Sequence, residues 1–219
     1  MGVVHIRTRL LKPATLSYRG AMATQKSNAG QGTREKLIDA AFRAVARDGL
    51  ADTNVKSIAA EAGVNPGLLH YHFASKDALL EAAVESATAR YMAGIDALIA
   101  AHPAEDLFDA YVDFAAATLD ANRDLFRVRL ALGVRAMNDA RLAERLEIGN
   151  AAVRNRLATI LAAGAGRKMP TDIDRLRARL TKAAFEGLML SWLAQPDFPM
   201  HDALGEWIGA MRAALRDHN

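Results

Sequence analysis

The segment from Asp52 to Leu80, DTNVKSIAAEAGVNPGLLHYHFASKDALL, gathers the residues of this chain best equipped to meet another molecule. Thr53, Lys56, His72 and Lys76 carry hydroxyl, ammonium and imidazole donors that suit a phosphate backbone. Between them, Asn65, Pro66, Gly67, Leu68, His70 and Tyr71 form a short stretch suited to reading base edges. Leu68 is of a type that meets a thymine methyl, and Gly67 lets backbone approach a duplex closely. His70-x-His72 has metal-ligand residue types, but positions i and i+2 point to different faces of a helix, so no metal site is expected. Patterns for turnover are missing: G-x-S-x-G, H-E-x-x-H and the P-loop do not occur. Gly164-Ala165-Gly166 follows helical sequence, not a strand, and reads as a stop. With no cysteine in 219 residues, disulfide scaffolds, thiolate metal sites and cysteine nucleophiles are excluded. The chemistry on offer is recognition; neither enzyme activity nor a cofactor is expected.

Helices must hold these side chains. Thr33 reads as the N-cap of a first helix, with Leu37, Ile38, Ala41, Phe42 and Val45 on one stripe and Gly49 as its stop. Thr53 or Asn54 caps a second helix whose inner face is Val55, Ile58, Ala59 and Ala62, ended by Gly63. Asn65-Pro66 opens a third, leaving N-terminal N–H groups that suit a phosphate. Ser75 starts a long fourth helix that runs toward His102-Pro103. Five more are predicted at roughly 104–121, 124–136, 139–163, 172–195 and 201–217, with Thr171 and Asp174 as a variant capping box. No alternating run bounded by turn residues argues for a strand, so the fold class is all-α with about nine helices. The second and third helices with their glycine turn are the ingredients of a helix-turn-helix.

The sequence Ala40-Ala41-Phe42, Gly49, Thr53, Ile58-Ala59, Ala62-Gly63-Val64, Gly67-x-Leu69 and His72-Phe73-x-Ser75-Lys76-x-x-Leu79-Leu80 carries a clear likeness. It resembles the N-terminal domain of TetR/AcrR-family transcriptional regulators over Arg34 to Leu80. The resemblance implies a helix-turn-helix DNA-binding domain at 33–80 and a helical effector-binding and dimerisation domain at 81–219. It further implies a cytoplasmic homodimer built on the last two helices, a pseudo-palindromic double-stranded operator, and a small-molecule effector that releases a repressor. Three positions depart from the family pattern: His70 stands where tyrosine is usual, Pro66 where a lysine or arginine is common, and Leu68 where threonine or serine is common. Two alternatives stay open at this level, a helical dimer acting through protein partners and an enzyme on a helical scaffold.

The regulatory half offers weaker signals. LTKAAFEGLMLSWLAQ, residues 180–195, is apolar nearly all round after Lys182, which demands burial on every side and hence a partner subunit. Phe185, Leu188 and Trp192, with Leu204, Trp207, Ile208, Met211 and Leu215 of the last helix, are the expected dimer interface. Tyr91, Phe108, Tyr111, Phe114, Phe126, Met137 and Met189 are candidates for an apolar effector pocket. Arg127 and Arg129, beside Phe126, could meet an anionic effector. Glu186 interrupts the greasiest run, so no membrane span is expected.

Charge is distributed unevenly. The chain carries +3 with an isoelectric point near 9.3. Residues 1–33 hold Arg7, Arg9, Lys12, Arg19 and Lys26 and no acid, while residues 34–80 hold six basic and six acidic side chains. The first 32 residues read as a basic, unstructured extension that would add long-range attraction to DNA. Met22 is an alternative start that would remove most of it.

Overall fold

A computed structural model describes residues 32–216, with side chains through Leu215; the extension expected over residues 1–32 lies outside them apart from Gly32. Nine α-helices and one 3-10 turn make up the described residues, with no strand. They are α1 Thr33–Asp52, α2 Val55–Ala62, α3 Gly67–His72, α4 Lys76–Ala101 and α5 Leu107–Thr118, then the 3-10 turn Asp120–Asn122. α6 Arg123–Ala136, α7 Ala140–Gly164, α8 Asp172–Ala194 and α9 Met200–Arg216 follow. None is long and apolar enough to cross a membrane.

Local chemistry accounts for the boundaries. The Asn54 carboxamide accepts from the Ser57 N–H at 3.0 Å and the Ser57 hydroxyl accepts from the Asn54 N–H at 3.1 Å, so both orphan donors at the start of α2 are satisfied. Gly63 sits at φ 66°, ψ 34°, the left-handed geometry that turns the chain between α2 and α3. Ser75 caps α4 through the Ala78 N–H, and Asp139 caps α7 through the Leu142 N–H, each at 3.1 Å. Gly49, expected to stop α1, instead kinks it at φ 84°, and helical turns resume to Asp52. Gly32 rather than Thr33 occupies the N-cap of α1.

The head is α1 packed on α2, α3 and α4, and its core contains Leu37, Ala41, Val45, Ile58, Leu69, Phe73 and Leu79. Val128 and Leu132 of α6 and Leu142 of α7 belong to the same buried cluster. The boundary expected at residue 80 therefore does not separate two cores, because α4 and α6 both pass through the first one. α4, α5, α7 and α9 enclose a second cluster around Ile95, Phe108, Leu157, Leu161 and Leu215. Leu119, Met189, Met200 and Leu204 form a third between α8 and α9.

Candidate functional site

On the head, the structure divides the expected contact residues into two groups. Lys56, Asn65, Pro66, Gly67, Leu68, His70 and Tyr71 are exposed, and Tyr71, at 82%, stands almost free of the surface. His72 is half-buried, edge-on to the Tyr71 ring at 5.0 Å between centroids. Leu69 and Phe73 face inward and anchor α3 to the core, which turns its opposite side to solvent. Asn65 does not leave all N-terminal donors free: its side-chain oxygen accepts from the Gly67 N–H at 2.8 Å, and Pro66 takes the cap position. A Cβ on Gly67 would lie 3.3 Å from that same oxygen, a tight contact that the exposed Asn65 side chain would have to relieve by a few tenths of an ångström.

Two expected phosphate contacts are corrected. Thr53 is buried, and its hydroxyl donates to the Gly49 carbonyl at 2.6 Å. The Lys76 ammonium donates to the Thr53 carbonyl at 2.7 Å and the Leu50 carbonyl at 3.3 Å. The Thr53 hydroxyl closes the end of α1 on itself, and Lys76 ties that end to the start of α4, where a cation complements the exposed carbonyls of a helix C-terminus. The Thr53 hydroxyl is committed inside the head, and two of the three Lys76 N–H donors are taken up at the end of α1.

Behind the head lies a cavity of about 120 Å³ enclosed by α4, α5, α6, α7 and α8. Four expected pocket residues, Tyr91, Tyr111, Phe126 and Met189, line it. Phe126 meets Phe185 edge-on at 5.1 Å and Tyr91 at 6.5 Å, and Phe114 stands behind Tyr91 at 5.8 Å. Phe108 lines a second, smaller space of about 50 Å³ that shares Tyr111, Lys182 and Phe185 with the first. Met137 does not belong: it lies just past the end of α6, 79% exposed, where the helical turn that would carry it inward has already ended.

The polar wall of the cavity holds residues that pattern alone did not single out, namely Thr88, Asn150, Lys182 and Glu186. Arg129 donates to the Thr88 hydroxyl at 3.1 Å and to the side-chain carboxamide oxygen of Asn150 at 2.7 Å. Burial pulls its guanidinium below the ordinary arginine value, and attraction to Glu186 and Tyr91 opposes this. Burial also pushes the Tyr111 phenol upward, against a hydrogen bond with Tyr91. Lys182 pairs with Glu186 one turn away on α8. Arg127, the other arginine expected near an effector, instead donates to the Ala46 carbonyl of α1 at 2.6 Å.

α6 thereby touches both the head and the cavity. Its Val128 and Leu132 enter the head core, its Arg127 holds α1, and its Arg135 forms a bidentate pair with Asp77 at 2.7 and 2.6 Å. That pair holds the Asp77 carboxyl below the usual carboxylate range. From the other side of α6, Leu125, Phe126, Arg129, Leu130 and Gly133 wall the cavity.

Comparison with known proteins matches this two-part layout. The family profile described as bacterial regulatory proteins, tetR family, matches residues 37–83, and that of the BetI-type transcriptional repressor, C-terminal, matches residues 103–217. The HTH-type transcriptional regulator BetI of Stenotrophomonas maltophilia is 34% identical over 164 residues, covering 72% of this chain and 79% of its own. The chain belongs to the TetR family. Among other TetR-family relatives, the nicotine-responsive transcriptional repressor HdnoR of Paenarthrobacter nicotinovorans is 26% identical over 179 residues, 78% of this chain and 89% of its own. A transcriptional regulator from Rhodococcus sp. Rha1 shares the fold, with a TM-score of 0.70 at 24% identity over 84% of this chain and 97% of that one. The all-α fold with its N-terminal helix-turn-helix is thus that of a TetR-family protein, and the chain is a ligand-responsive DNA-binding transcriptional regulator.

The last two helices are the expected dimer surface, and the structure shows which of their residues face outward in the single chain. Leu204 and Leu215 are buried within the chain, and Trp207, Ile208 and Met211 pack against the same clusters. Phe185 lines both cavities; Leu188 and Trp192 cover the third cluster, with Arg123 stacked 4.5 Å over the Trp192 ring. Leu204 and Leu215 are thus taken up by the chain's own interior, while the other six expected interface residues are half-buried. The outward face of α8 is instead Ile173, Leu176, Leu180, Ala183, Gly187 and Leu190, spaced alternately three and four apart and all exposed. α9 presents Gly205, Gly209 and Ala213 outward, side chains small enough for a close helix crossing.

Proposed function

We propose that the chain is a homodimeric repressor whose paired α3 helices read a pseudo-palindromic operator, and that a small molecule in the cavity beneath α6 releases it. The observation that carries this reading is the position of α6, one helix whose opposite sides build the head core and the cavity wall. A ligand that displaces α6 moves Arg127 and Arg135, and with them α1 and the start of α4. The heads of a dimer engage successive major grooves ~34–36 Å apart, so a small tilt of each head prevents simultaneous docking. The heptad stripe on α8 supports the dimer, since a line of leucine and isoleucine at 3-4 spacing has the pattern of a helix-pairing seam. Lys56, Asn65, Pro66, Gly67, Leu68, His70 and Tyr71 form the reading surface, and His72 flanks it.

A gel shift with DNA from the region upstream of the chain's own gene tests this. Wild-type protein retards that DNA, while Tyr71→Ala and Leu68→Ser weaken binding about tenfold or more, the ~1–3 kcal/mol that a single mismatched position costs a specific complex. Both side chains are exposed, so thermal stability stays unchanged. Retardation by the variants equal to wild type would remove α3 from the reading role.

A further inference from the structure

We propose that the cavity beneath α6 takes a compact carboxylate with an aromatic or alicyclic body, its carboxylate held by Arg129. The inference rests on that cavity being the effector site and adds the chemical class of the effector. Three charged side chains line the cavity: Arg129, Lys182 and Glu186. Lys182 and Glu186 neutralise each other on adjacent turns of α8. Arg129 has no carboxylate within ion-pair distance among the described residues, and its two hydrogen bonds go to neutral oxygens of Thr88 and Asn150. The guanidinium carries five N–H donors in a planar fork that matches a carboxylate, and it keeps its charge at neutral pH. The cavity therefore has a surplus positive charge on one wall, and a cationic ligand would meet that charge with its one carboxylate already paired.

The remaining walls define the body of the ligand. Tyr91, Phe126 and Phe185 supply aromatic faces, and Leu125, Leu130 and Met189 complete an apolar enclosure. At about 120 Å³ the space is close to the ~150 Å³ of an engineered cavity that holds benzene. The adjoining space of about 50 Å³ beyond Tyr111 and Phe185 leaves room for a short apolar substituent.

The same geometry supplies a route and a coupling. Thr88, Arg129 and Leu146 line both the cavity and an outer groove between α4 and α7, so Arg129 stands between solvent and interior. A carboxylate that draws the guanidinium toward itself competes with the Thr88 hydroxyl, which is the hydrogen bond joining α6 to α4 at this level.

The test uses the full chain with benzoate, the isosteric neutral benzamide and the cation benzylamine, read by calorimetry and by operator gel shift. Benzoate is expected to bind at least ~tenfold tighter than either, the effect of one charge-assisted hydrogen-bonding group, and to release operator DNA. Arg129→Gln abolishes the preference. Asn150→Asp, which pairs the guanidinium internally, abolishes it as well and guards against a folding defect in the first variant. Benzoate binding no tighter than benzamide, or unchanged in both variants, overturns the proposal. Benzylamine bound more tightly with release of operator overturns it too, while leaving the effector cavity in place. Arg129-dependent benzoate binding with operator affinity unchanged supports the ligand class and refutes the effector reading beneath it.

Discussion

Replacing Leu176 and Leu180 with serine should split the proposed dimer and leave each chain folded. In the single chain these leucines are 50% and 57% exposed, so about half of each side chain remains to be covered by a partner. Full burial of a leucine contributes ~1.5–3 kcal/mol, which leaves ~1 kcal/mol for the uncovered half. Two such side chains from each of two protomers give ~4 kcal/mol, or roughly three decades in the dimer dissociation constant at ~1.4 kcal/mol per decade. Sedimentation velocity over a concentration series reads the mass, circular dichroism the helix content, and a gel shift the loss of two-headed operator binding. Serine at Leu204 and Leu215 should behave differently, since both are buried in the chain's own core and truncations of that kind cost ~2–5 kcal/mol each in stability. A Leu176→Ser/Leu180→Ser protein that keeps the wild-type dimer mass would refute the assignment of this face.

Two further outcomes follow from the frame around the site. Gly63→Ala meets no atom within 4 Å but forces alanine to φ 66°, so it should destabilise the head by ~1–2 kcal/mol, measured by chemical denaturation. Asp174 is fully buried at the α7–α8 corner, bonded to Arg167, to the Thr171 N–H at 2.9 Å and to the Thr171 hydroxyl at 2.7 Å. Burial alone would raise its carboxyl, but those bonds prevail and hold it below the ordinary value. A lowered folded value means its stabilisation is complete above the unfolded carboxyl value of ~4 and is lost as pH falls through the folded one. Asp174→Asn should cost ~1.5–3 kcal/mol at neutral pH, as for hydrogen bonds to a charged group, and urea titrations at pH 7 and pH 3 should show that the difference shrinks in acid. An equal difference at both pH values would refute that account.

What the sequence made legible was mostly local. Asn54, Gly63, Ser75, Thr171 and Asp174 act within three or four residues of themselves, so their roles in caps and turns follow from type and spacing, and each does what its spacing predicts. The outward residues of α3 were equally readable, because Leu69 and Phe73 fix which side is buried. The internal partners of Thr53 and Lys76 were not legible, since they are backbone carbonyls at and just past the end of α1, and a carbonyl leaves no trace in side-chain pattern. On α9 the amphipathic stripe correctly marks a buried face, but periodicity does not say whether the burying surface belongs to the same chain. On α8 the heptad was hidden because the inward face is apolar as well. Arg127 and Arg129 were indistinguishable two residues apart; only the rotation of α6 sends one to Ala46 and the other to the cavity.

The sharing of one buried cluster by α1, α4, α6 and α7 bears on how such proteins can be recombined. A fragment cut at Leu80 would leave the head without Ala83, Val84, Val128, Leu132 and Leu142, and its floor would be open to water. The reading head is therefore no portable cassette. A chimera that grafts this head onto another C-terminal half must carry matching α4 and α6 residues with it, and natural drift at Val128 or Leu132 of α6 is constrained by the head core.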